Sequence, residues 1–149
     1  KPLMPTIKSR CIDIKIILDE NKRINIIKSL INKFKINLLL DYKTSKLTPG
    51  NLIRFNYIYE ENKINAEGDF LKNLTILLNL YKKDKDMIFI DIILFFTDNY
   101  FNQLKKNNLF SNSKIIEYKK FIFQNINKFF LYNLNQNALL NIINDKINE

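Results

Sequence analysis

The sequence predicts a mostly α-helical protein, and three observations predict it. Only two glycines and three prolines occur among 149 residues, too few to turn a many-stranded β protein. Apolar residues recur at helical spacing through most of the chain. Hydrophobic residues make up 46% and aromatics 13%, which is a core-forming composition and not that of a disordered tail. The length fits one ordinary domain or two small ones.

The opening residues, KPLMPTIKSRC, lack an initiator methionine and read as the exit from an element that precedes this chain. On that reading the chain is the C-terminal part of a longer protein. Residues 12–18, IDIKIIL, begin by alternating apolar and polar and are rich in isoleucine, so one short strand is expected there. Asp19 suits the N-cap of a helix over 20–34, whose Ile24, Ile27, Leu30, Ile31 and Phe34 share a stripe. A shorter helix is expected over 36–42. In LTPGN, residues 47–51, Thr48 can cap and Pro49 suits the first helical position of a helix running to Glu61. Leu52, Phe55 and Tyr59 mark its apolar side. The polar stretch 62–68, which holds the second glycine, marks a boundary.

Four more helices are expected. Residues 68–82 carry Phe70, Leu71, Leu74, Leu77, Leu78 and Tyr81 at a 3.6-residue period. Residues 86–106 are apolar almost all round, as the central helix of a bundle would be. Ile115, Tyr118, Ile122, Ile126 and Phe129 line a helix over 113–132, and Leu139, Ile142, Ile143 and Ile147 line one over 135–147. Short connections make antiparallel neighbours the natural packing. There is no internal repeat.

The formal net charge is +9, which invites a nucleic-acid or membrane reading. Lysine, asparagine and isoleucine are all abundant, however, and an AT-rich coding sequence accounts for that pattern. Weak phosphate-backbone attraction is the alternative. With no histidine and one cysteine, no zinc site is expected, and a histidine acid–base mechanism and an intrachain disulfide are excluded. The lone cysteine fits a reducing, cytoplasmic setting. The run MIFIDIILFF at 87–96 is interrupted by Asp91 and followed by Asp98, so it reads as a buried helix and no membrane partner is expected. Aromatics at 95–101 and 121–132 sit at helical spacing inside apolar stripes and read as core before they read as base-stacking platforms. Asp84, Asp86 and Asp91 are not spaced as a metal site, and the sequence shows no glycine-rich phosphate loop. No catalytic machinery, cofactor or metal is expected in this chain.

PTIKSRC, residues 5–11, resembles the SRC motif of the clamp-loader AAA+ family, and is most similar to its delta-prime branch, where LLPTIRSRC-type segments recur. Two later stretches extend the resemblance in the family's order. LTPGNLIRF at 47–55 is similar to the GSPGxAL entry to the last lid helix. NINKFFLYNLNQNALLNII at 125–143 is similar to the NVNPxLALExLL ending, with Asn133, Asn135, Leu139 and Leu140 in matching places. The chain departs from the pattern at Gln136, where a proline is usual, and near Asn141, where a glutamate is usual. Gly50 stands where ATP-using subunits place a sensor arginine in a GSLRDA context.

The resemblance implies three parts: residues 1–18 as the end of an AAA+ nucleotide-binding core, 19–63 as a small helical lid, and 64–149 as an antiparallel helical-bundle collar. It implies a subunit of the DNA polymerase III clamp loader that does not bind ATP itself. Its partners would be the other clamp-loader subunits in a hetero-oligomeric ring, the sliding clamp indirectly, and primed DNA through the complex. Arg10 would act in trans on a neighbouring subunit's ATP, a role worth on the order of 10³–10⁵ in rate. Thr6 and Ser9 would position its loop, and Cys11 would pack as a small hydrophobe. Without the flanking motif, Arg10 reads as an ordinary salt bridge beside a strand. The alternative reading of the whole chain is a non-enzymatic, all-helical protein-interaction module unrelated to replication.

Overall fold

The computed structural model describes residues 18–65, 68–107 and 110–148. All regular structure among them is helical: α1 (Glu20–Phe34), α2 (Pro49–Glu61), α3 (Phe70–Asp84), α4 (Met87–Lys106), α5 (Asn112–Tyr132) and α6 (Gln136–Asn148). These residues fall into two compact units that divide between Leu52 and Ile53. The strand expected over 12–18 lies outside the described residues, apart from Leu18, which is irregular.

In the first unit, α1 starts where the capping signal puts it. The Asp19 carboxylate accepts from the Lys22 N–H at 2.8 Å, and the Asp19 carbonyl accepts from the Arg23 N–H at 2.9 Å. The helix stops at Lys35, whose φ of 51° and ψ of 45° are left-handed, and the Ile36 N–H closes back onto the Ile31 carbonyl at 3.1 Å.

The short helix expected over 36–42 does not form. Residues 36–47 are irregular, and Asp41 organises them as a turn. Its carboxylate accepts from the Lys43 N–H (2.9 Å) and the Thr44 hydroxyl (2.7 Å), and its carbonyl accepts from the Ser45 N–H (3.1 Å). A short acidic side chain that satisfies nearby donors gives the backbone an alternative to helix, and here that alternative wins. The stripe of α1 is also only partly covered. Ile27 is buried, but Phe34 is 61% exposed.

At α2 the expectation holds in detail. The Thr48 hydroxyl accepts from the Asn51 N–H at 3.3 Å, the Thr48 carbonyl accepts from the Leu52 N–H at 2.9 Å, and Pro49 is the first helical residue.

The second unit runs from Ile53. In it α3 packs on α4, α4 on α5, α5 on α6, and α6 returns to α3, so the four helices close into a bundle. Only Lys85 and Asp86 separate α3 from α4, and three residues separate α5 from α6, which makes each pair antiparallel. Leu74, Leu77, Leu78, Ile92, Ile93, Ile122, Ile126 and Ile143 are wholly buried between them. Each such side chain contributes about 1.5–3 kcal/mol of burial. The remainder of α2 lies on α4, with Phe55 tilted against Phe95 at 5.6 Å and Tyr59 edge-on to Phe96 at 6.4 Å between ring centroids. Phe70 stacks between Phe96 (5.4 Å) and Tyr100 (4.2 Å). The aromatics of 95–101 therefore belong mainly to the core, with Phe96 and Phe101 buried. Ile142, expected on the buried side of α6, is exposed.

Candidate functional site

Thr6, Ser9, Arg10 and Cys11, the residues the sequence singles out, lie outside the described residues. The two later motif stretches are described, and both sit at helix starts. Around Gly50, in the first turn of α2, an added Cβ would meet nothing within 4 Å, and neither glycine has a positive φ. Neither steric crowding nor backbone strain therefore requires glycine at this place, and a longer side chain would fit from the backbone outward.

The C-terminal motif forms the α5–α6 corner. Asn133 takes the left-handed conformation (φ 48°, ψ 47°), and the Leu134 N–H bonds the Phe129 carbonyl at 3.3 Å. Asn133 is well suited to this, since asparagine tolerates that region better than most side chains. Asn135 then caps α6: its side-chain oxygen accepts from the N–H groups of Asn137 (2.8 Å) and Ala138 (3.3 Å). Gln136 is the first residue of α6, the position at which proline is most at home in a helix. The departure from the family pattern thus falls where either residue satisfies the backbone. Gln136 uses the place differently: buried, it donates from Nε2 to the Asn79 side-chain oxygen of α3 at 2.9 Å and ties the corner to the bundle. Leu139 is buried behind it and Leu140 is half-buried.

Arg23 is the functional-looking residue that sequence reasoning missed. It is buried in α1, and its guanidinium is almost fully engaged. Nε and Nη2 donate to the two Glu20 carboxylate oxygens (3.0 and 2.6 Å), Nη2 also donates to the Tyr42 carbonyl (2.8 Å), and Nη1 donates to the Leu47 carbonyl (2.9 Å). The hydrogen bond from Arg23 holds the Glu20 carboxyl below its usual range, and the Glu20 bond raises Arg23 in return. With its donors spent on a side chain and two backbone carbonyls, Arg23 is a clamp for the loop before α2 and has no fork left for a phosphate. Its sequence signal was a glutamate three residues ahead on the same helix, which is ordinary enough to pass unnoticed. Arg54 pairs with Asp86 at 3.3 Å, both exposed.

Among the described residues no cluster of three His, Cys, Asp or Glu side chains could hold a metal ion. No described helix is long and apolar enough to cross a membrane. Comparison with protein-family models, with curated proteins and with solved structures finds no match to this chain.

Proposed function

We propose that the chain is the C-terminal part of a delta-prime-like clamp-loader subunit, with residues 1–18 ending a nucleotide-binding core, 19–63 forming the lid and 64–149 the collar. The observation that carries this reading is the succession of PTIKSRC, LTPGN and NLNQNALL in the family's order along one chain. Two features support it. The later stretches fall at a capped helix start and a capped helix corner, where motif residues have backbone work to do. Gly50 leaves open the place of the sensor arginine, as a subunit that does not use ATP would.

In this reading the subunit assembles with ATPase subunits that open a sliding clamp and place it on primed DNA. Arg10 supplies a planar fork of donors to the charge that develops on a neighbour's transferring phosphate. Reconstitution of the full-length subunit with clamp-loader ATPases, clamp and primed DNA tests it. The expected result is co-elution of a ring on gel filtration. Arg10→Ala should leave the ring intact and slow steady-state hydrolysis, and Arg10→Lys should rescue poorly because a point charge does not reproduce the fork. Failure to co-elute overturns the assignment. Normal hydrolysis by an intact Arg10→Ala ring makes Arg10 structural.

A further inference from the structure

The two ends of the bundle differ. One end carries the α3–α4 and α5–α6 turns, and its parts are in contact: Tyr81 of α3 meets Phe129 and Phe130 of α5 at 6.4 and 4.8 Å, and Gln136 at the start of α6 bonds Asn79 of α3. On this end four large apolar side chains face solvent: Met87 (67% exposed), Leu131 (76%), Tyr132 (70%) and Leu134 (45%). At the other end, around the α4–α5 connection, Ile116, in the second turn of α5, is the exposed large hydrophobic among the described residues. The first end is also basic. Lys82, Lys83, Lys85 and Lys128 are exposed there, and Arg54 and Asp86 neutralise each other. Four lysines against Asp84 and Asp91, the latter exposed one turn into α4, leave a local excess of two positive charges.

We propose that this end of the bundle docks on an anionic lipid surface. Side chains exposed by two-thirds or more at helix ends project into water, which suits insertion into a deformable interface more than cradling a partner helix. Leu131, Leu134 and Met87 can enter the boundary between headgroups and acyl chains, and Tyr132, apolar in body with a polar tip, fits the headgroup level. The lysines have stems long enough to reach back to lipid phosphates while the apolar tip is immersed. This inference does not depend on the clamp-loader reading, since it uses none of that reading's motif functions.

Co-sedimentation of the chain with vesicles of phosphatidylcholine containing one-third phosphatidylserine, and with pure phosphatidylcholine vesicles, tests it. The chain should sediment with the anionic vesicles only, and less in high salt. Leu131→Asp, at an exposed position where the fold is indifferent, should weaken binding about tenfold. The double variant Lys82→Gln, Lys83→Gln should weaken it roughly twenty-fivefold, at about fivefold per lysine charge removed. Ile116→Asp and the double variant Lys105→Glu, Lys106→Glu, at the other end, should each change it less than about twofold if that end stays in water. Absence of binding to the anionic vesicles overturns the proposal, as do equal losses at both ends, which would reduce binding to overall charge. A glutamate-rich amphipathic peptide that binds this end where vesicles do not would assign it to a protein partner and equally overturn the lipid reading.

Discussion

In the first unit a loop of twelve residues, 36–47, is tied to α1 by one guanidinium that reaches the carbonyls of Tyr42 and Leu47, and the helix it is tied to leaves Phe34 largely in water. In the second unit α3–α6 meet through rows of leucine, isoleucine and phenylalanine with almost no solvent exposure, and polar ties such as Gln136–Asn79 sit at the corners. The contrast teaches how two kinds of glue fail. Apolar burial is spread over many side chains, so losing one leaves a cavity but spares the rest. A buried polar hub is concentrated, and its loss strands two carbonyls and a carboxylate at once.

The sharpest test of that contrast is Leu77→Ala in α3. Leu77 is wholly buried, and its truncation should cost about 2–5 kcal/mol of stability, read by urea denaturation of the chain. A loss under about 1 kcal/mol would mean the bundle is loosely packed there. Arg23→Met should come next. It should destabilise the first unit by about 1.5–3 kcal/mol, the range for hydrogen bonds to a charged group, and speed amide exchange over 41–48 while leaving exchange in α3–α6 unchanged. Arg23→Lys should behave almost as badly, because an ammonium cannot span Glu20 and two carbonyls together. If both units loosen equally, the division between them is wrong. Asn135→Ala removes the cap of α6 and should cost about 1 kcal/mol, with exchange faster in the first turn of α6 alone.

The smallest effect is a pH dependence. Arg23 lowers the Glu20 pKa below its ordinary value of 4.5. A depressed folded pKa adds stability above that ordinary value, and the contribution is lost as pH falls through the lowered one. Protection of the 41–48 amides, taken relative to the intrinsic exchange rate at each pH, should therefore fall in that acidic window, and Glu20→Gln should abolish the transition. Persistence of the transition in Glu20→Gln would assign it to another carboxylate.

How far the sequence could be read follows the same division. The bundle was legible because Phe70, Leu74, Leu77 and Leu78 repeat at the helical period, and the caps were legible because Asp19 and Thr48 are capping side chains placed before apolar runs. The loop was not. INLLLDY at 36–42 has the apolar density of a helix, and what overrides it is Asp41 turning the chain locally and Arg23 collecting carbonyls 19 and 24 residues away. A backbone carbonyl has no letter in a sequence, so a side chain whose partners are carbonyls looks like any solvated arginine. The α5–α6 corner is half legible: the asparagines stand out as motif letters, but their separate jobs, a left-handed turn at Asn133 and a cap at Asn135, depend on backbone angles.

Among the described residues four carry a positive φ, and none is glycine: Lys35 (51°), Lys63 (53°), Lys85 (54°) and Asn133 (48°). All four follow a helix. After Lys35, Lys63 and Asn133 the next N–H closes back five residues, from Ile36 to Ile31, Ile64 to Tyr59 and Leu134 to Phe129. Glycine is the customary occupant of such a position, because a Cβ there crowds the following carbonyl by about 1–2 kcal/mol. Every glycine codon begins with two guanines, whereas lysine and asparagine codons begin with two adenines. A coding sequence drained of guanine and cytosine would remove glycine from helix ends and leave adenine-rich codons to fill them. On the AT-rich reading of the lysine, asparagine and isoleucine content, base composition in the gene would become torsional strain in the polypeptide, held at three lysines that single codon replacements could relax.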